Sequence, residues 1–264
     1  MYKTNFTENA KQGGITMKSI RIFTKGLVII IFFFLIMYAE EKNNSWDFPI
    51  KPGTSVWKQY RTHAEKVKAL QVPLSVLKNM STDHLVEICL TYPFLDEIWA
   101  YNNIQNGFEY VVKDFNGLQE LLMRKDVGPI LLLRYKNMSP NNVSKDWSLL
   151  QQGTHTAKFR HIEILIAQET ILTALKDNER LTLLNEVVKK HQTMSQTSIF
   201  GYPNAETNTF LMGRILQKND DDKFNQIISN NKKIDVFLKS GNLFVADLVQ
   251  EIFSYAEQYL DIKR

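Results

Sequence analysis

The sequence predicts an all-α protein, and three observations carry the prediction. The stretch Lys158–Leu175, KFRHIEILIAQETILTAL, presents apolar residues at every angle when laid out at about 100° per residue, the mark of a helix with no side left for water. Runs of strictly alternating polarity rich in β-branched residues, which a half-buried strand requires, are absent from the chain. Finally, one kind of helix junction recurs. Leu77–Ser81, Leu122–Asp126, Ala174–Asp177 and Leu216–Asp220 each run from a leucine or its neighbour through a basic residue to a Ser or Asp able to cap the next helix. The capping positions lie 45, 51 and 43 residues apart, near the ~40–47 of HEAT and armadillo repeats. The architecture expected is an irregular array of antiparallel helix pairs around a buried central helix at 158–175. It would be either a degenerate HEAT/armadillo-like right-handed superhelix or a compact α-bundle.

Taken in order, the chain opens on a targeting pattern. Residues 17–25, MKSIRIFTK, are basic, and Gly26–Ala39 is an uninterrupted apolar run, the order of a secretory signal peptide. At 1.5 Å per residue that run spans about 21 Å, short of the ~30 Å hydrocarbon core. Cleavage after Ala39 and release to the periplasm or cell surface are therefore expected, with an uncleaved inner-membrane anchor at 26–39 as the alternative. Gln12-Gly13-Gly14 can be encoded by a purine-rich bacterial ribosome-binding sequence just ahead of the Met17 codon, so residues 1–16 are expected to be a mis-assigned leader. Residues 40–53 read as a flexible lead-in and 54–264 as a single all-α domain.

Within that domain, Thr54 or Ser55 is placed to cap a helix through Leu70. Pro73 occupies a first-turn position for Leu74–Met80, and Ser81 or Thr82 caps the run His84–Thr91, which Pro93 stops. The last helix, Leu243–Leu260, gathers Asp247, Gln250, Glu251, Ser254, Glu257 and Gln258 into an arc of about 120°, and the remainder is apolar. So wide an apolar face suits a helix that lies in a groove and closes the array. The polar arc has no Lys or Arg, unlike that of a membrane-surface helix.

Charge narrows the function. The first 39 residues hold five of the 32 basic and one of the 28 acidic residues, so the remainder is balanced at 27 each. Without clustered Lys and Arg there is no footprint for nucleic acid. Cys89, the single cysteine, sits in an apolar setting and reads as a small buried hydrophobe. HExxH, CxxC, GxSxG, P-loop and GxGxxG patterns are absent, and His155 and His161 lie six apart, on different faces of a helix. Neither a metal nor a cofactor is expected. Asn219–Asp222 lacks the glycine and closing glutamate of a calcium loop and reads as an acidic helix N-terminus.

Two clusters stand out. The first is the polar set Arg160, His161, Glu163, Gln168 and Glu169 on the central helix. It is expected to be a self-satisfied buried network, with Glu163 paired to Arg160 or to Arg134 or Arg124 of adjacent helices. Its alternative use is general acid–base catalysis by Glu163 and His161 in a hydrolase-like site. The second set, Trp99, Tyr101, Asn102, Asn103 and Tyr110, interleaves aromatics with amides, which suits a ligand or glycan face. The function expected is that of an exported, non-catalytic envelope protein that binds a protein or glycan partner, without stable membrane insertion after signal cleavage. The excess of apolar surface on the last helix supports a further alternative, a carrier of an apolar ligand.

Overall fold

The computed structural model describes residues 46–242 and 246–263. The leader, the signal run and residues 40–45 of the lead-in lie outside the described residues. Among those described every regular element is a helix, and none is long and apolar enough to cross a membrane. From Trp46 onward the segment expected as a flexible lead-in is anchored. Phe48 and Ile50 are buried, and Phe48 packs against Trp46, Tyr92 and Phe115 in an aromatic cluster.

The single helix expected through Leu70 is two. Thr54 caps α1 (Ser55–Gln59). The chain then breaks, and Thr62 with Glu65 forms a reciprocal capping box that opens α2 (His63–Ala69). Pro73 leads into α3 (Leu74–Asn79), and Ser81 caps α4 (Thr82–Leu90) by accepting from the His84 N–H.

From there the chain repeats an order of helices. A first unit holds α4, a 3-10 helix at Leu95–Ala100, α5 (Ile104–Asp114) and the short α6 (Asn116–Leu121). A second holds α7 (Val127–Asn137), α8 (Leu149–Ile166) and the short α9 (Glu169–Ala174). A third holds α10 (Asp177–Ser195), α11 (Tyr202–Lys218) and α12 (Asp222–Asn230), followed by α13 (Lys232–Ser240) and α14 (Ala246–Lys263). The leading helices stack in a row, α4 on α7, α7 on α10 and α10 on α14, while α8 packs on α11. The expected helix pair thus carries a third, short helix. Three of the four sequence junctions, at Ser81, Asp126 and Asp177, fall where a short helix meets the next leading one. The fourth, at Asp220, falls one helix early, because the third unit departs from the order and its α12 packs on α11 and α13.

A set of tertiary hydrogen bonds recurs at nearly constant sequence separation. Asn116 bonds the backbone of Val72, 44 residues away. Arg124 donates to the Met80 and Leu77 carbonyls, 44 and 47 away. Asn204 donates to the Thr156 carbonyl, 48 away, and Arg214 to the Ala167 carbonyl, 47 away.

The stretch 158–175 is buried as expected along Ile162–Gln168, but it is not one helix. Helix α8 begins earlier, at Leu149, where Ser148 and Gln151 form a capping box, and ends at Ile166. Gln168 then turns extended, with φ −71° and ψ 138°, to start α9. The closing helix α14 buries Leu248, Ile252, Ala256, Tyr259 and Leu260 against α10 and α11.

Candidate functional site

The polar set on α8 does not form one network. Residues two apart on a helix point about 200° apart, and the structure sends Glu163 and His161 to different neighbours. The imidazole of His161 lies 2.8 Å from the carboxylate of Asp96, a contact that holds the Asp96 pKa below its ordinary value. Arg160 lays its guanidinium over the Trp99 ring at 4.8 Å. Gln168 bonds Gln105, and Glu169, which is exposed, pairs with Lys218. The expected Glu163–Arg160 pair is therefore absent. Arg134 is drawn to Glu87 and Asp83 instead, and Arg124 to Glu120 and the carbonyls ahead of α4.

Glu163 itself has no exposed surface. The hydroxyl of Tyr135 on α7 donates to its Oε1 at 2.9 Å, and Asn208 of α11 donates to the same oxygen. Thr207 Oγ1 lies 2.6 Å from Oε2 and 3.3 Å from the Asn204 carbonyl. One hydroxyl proton cannot serve both acceptors fully. A proton on Oε2 resolves this, with Glu163 donating to Thr207 and Thr207 donating to Asn204. The electrostatics agree: burial pushes the Glu163 pKa up to about 8, against the opposing pull of Thr207, Tyr135, Asn208 and Lys190. The raised pKa favours the neutral, protonated form of this carboxyl at neutral pH.

Beside Asn208 lies a recess of about 140 Å³, bordered by His191, Met194, Phe200 and Asn204. Asn208 is fully buried, and its side chain interacts with His191 across the recess. Burial lowers the pKa of His191, so this imidazole is held toward its neutral form.

The aromatic and amide set divides in the same manner. The Trp99 ring is covered by Arg160, and Asn103 caps α5 by accepting from the Asn106 N–H at 2.7 Å. The Asn102 carbonyl accepts from Asn242. Tyr101 and Tyr110 stack on each other with centroids 4.5 Å apart and keep part of their rings in solvent. Of this set, the two tyrosines and Asn102 are exposed.

A cleft of about 610 Å³ lies elsewhere. Helix α5 lines it with Gln105 and Glu109, and α9 with Glu169. Helix α11 contributes Arg214, Gln217 and Lys218, and α13 contributes Leu238 and Lys239. Gly213 makes room for this wall, since a Cβ there would lie 2.4 Å from a Leu238 methyl. Leu238 can thus rest on α11 with its carbonyl 2.9 Å from Arg214 Nε. Arg214 Nη1 donates at 3.2 Å to the carbonyl of Ala167, where α8 ends, and the guanidinium lies 4.5 Å over Phe210. Burial lowers its pKa, and the nearby Glu169 and Glu109 oppose that shift.

The opposite charges, fixed guanidinium and amides of this cleft are equipment for holding a polar ligand. The aromatic and amide stretch read from the sequence runs on to Gln105, but nothing in the sequence points to Arg214, Glu109 or Gln217. Among the described residues no three His, Cys, Asp or Glu side chains converge to hold a metal ion. Set against models of known protein families, characterised proteins and solved structures, the chain matches none of them.

Proposed function

We propose that the protein is an exported, non-catalytic binding protein of the bacterial envelope, and that it holds its ligand in the cleft between α5, α9, α11 and α13. The cleft is the observation that carries this reading. At about 610 Å³ it is of the size that takes a small polar ligand, and its walls come from four helices of three successive units. The pairing of Lys218 with Glu169 and the anchoring of Arg214 on two carbonyls fix the walls in advance, which reduces the ordering cost of binding. The basic run followed by an apolar run supports export, and the balanced charge of the remainder argues against nucleic acid as partner. Separation of Glu163 from His161 removes the arrangement that a hydrolase reading needs.

The test is a ligand screen by thermal shift, using short peptides and oligosaccharides on the purified protein and on Gln217→Trp. Gln217 is exposed on the cleft wall, so the indole fills the cavity without disturbing the core. A ligand that stabilises the wild type and not the filled variant supports the reading. Equal stabilisation of both would move the site elsewhere, and turnover of a screened compound would make the protein an enzyme. Fractionation of the producing bacterium checks export, and recovery in the cytoplasm would contradict it.

A further inference from the structure

Resting on the cleft as the binding site, we infer that its ligand is a small zwitterion, a molecule with a free carboxylate and an ammonium group such as an amino acid or short peptide. The inference starts from which charges in the cleft are already committed. Lys218 is paired with Glu169 and Lys239 with Asp235 at 2.8 Å. Arg214 is different. Among the described residues no carboxylate lies within ion-pair distance of it, and its hydrogen bonds to Leu238 and Ala167 use two of five N–H groups. The guanidinium fork, held by two carbonyls and the Phe210 ring, borders the cleft. A carboxylate matches such a fork with two parallel, charge-assisted hydrogen bonds.

The acids of the cleft divide in the same way. Glu169 is spent on Lys218. Glu109 accepts from the neutral Gln105 amide at 3.0 Å and Asp220 from the neutral Asn225 amide at 2.9 Å, and neither is in an ion pair among the described residues. Both stand ready for a cation. One cation without an ion pair, Arg214, and two such anions, Glu109 and Asp220, around a cavity of about 610 Å³ complement a molecule that bears both charges. A neutral sugar would leave these charges desolvated and unpaired.

The test is calorimetric titration of the purified protein with free di- and tripeptides, and with the same peptides amidated at the C-terminus or acetylated at the N-terminus. Binding by free peptides is expected, weakened about tenfold or more by either cap, as for the loss of a charge-assisted bond. Glu109→Gln, a change at an exposed side chain, should reproduce the loss on removing the amine while leaving the response to the carboxyl cap intact. Arg214→Lys should lose affinity for the carboxylate end, and circular dichroism establishes that it remains folded. Equal binding of capped and free peptides, or no binding by free peptides at millimolar concentration, overturns the inference. If an oligosaccharide then binds and Gln217→Trp abolishes that binding, the cleft still stands as the site and only the ligand class is wrong. A ligand indifferent to Gln217→Trp would remove the cleft itself.

Discussion

Glu163 and Arg214 belong to the same packed pair of helices, α8 and α11, yet the structure treats their charges in opposite ways. Each is bonded across the pair to a residue 44–47 positions away, Glu163 to Thr207 and Asn208, and Arg214 to Ala167. Burial disfavours both charged forms. A carboxyl can respond by taking a proton, and the raised pKa of Glu163 favours that response inside a buried set of hydrogen bonds. A guanidinium stays charged in a protein. Arg214 is therefore carried on two carbonyls and an aromatic face at the border of the cleft. The comparison teaches that an interior can absorb an acid that it neutralises, whereas a permanent cation must be brought to an edge, where it becomes available for recognition.

The largest expected effect comes from breaking the sealed side. Glu163→Leu leaves Tyr135, Thr207 and Asn208 without their buried partner. At ~1–3 kcal/mol for each stranded group, a loss of about 3–5 kcal/mol is expected in urea unfolding. Glu163→Gln should cost only about 1 kcal/mol, because its amide can donate to Thr207 and accept from the other two, the same pattern as the neutral acid. A Gln variant as damaged as the Leu variant would mean that Glu163 is ionised in the fold.

Next in size is the dependence on pH. The folded-state pKa of Glu163, about 8, lies above the ordinary 4.5, so between these values the folded state binds the extra proton. The stabilisation is complete below about pH 4.5 and is lost as pH rises toward 8. Its slope is ~1.4 kcal/mol per pH unit, or roughly 2–3 kcal/mol between about pH 5 and about pH 7. Unfolding free energies across that window should fall more steeply for the wild type than for Glu163→Gln. Parallel curves would show that this carboxyl does not titrate there.

The smallest effects lie on the open side and sharpen the contrast within the cleft. Arg214→Gln frees the Leu238 and Ala167 carbonyls and should cost about 2 kcal/mol, at ~1 kcal/mol for each hydrogen bond. Glu109→Gln should change stability by no more than about 0.5 kcal/mol. If chemical denaturation ranked the two the other way, Glu109 would be a structural partner and not a free wall of the cleft.

Much of the fold was legible in the sequence because helix caps and apolar faces are local. Ser81 caps α4, and the apolar face read on the last helix is the one that α14 buries. The break between α1 and α2 was equally local, written as Thr62 and Glu65, but a continuous helical reading passed over it. The end of α8 was not local. Gln168 makes no side-chain cap bond, and the carbonyl freed at Ala167 is taken by Arg214 from 47 residues away. The site was harder still, since its side chains belong to four helices and none makes a motif alone. One signal went unused. The 43–51-residue spacing read from the junctions, applied to polar side chains instead of caps, leads from Glu163 to Thr207 and Asn208.

That spacing also gives the chain a direction in which to fold. Each of these bonds closes a loop of nearly equal length, so the entropy lost on closure is nearly the same at every step. No leading helix has to wait for a distant end of the chain, because α4 finds α7, α7 finds α10 and α10 finds α14. Stability then adds along a row of neighbours. The exception is α5, whose first turn is held by Asn242 through the Ile104 N–H, 138 residues away, so the first unit is sealed only after α13 is made.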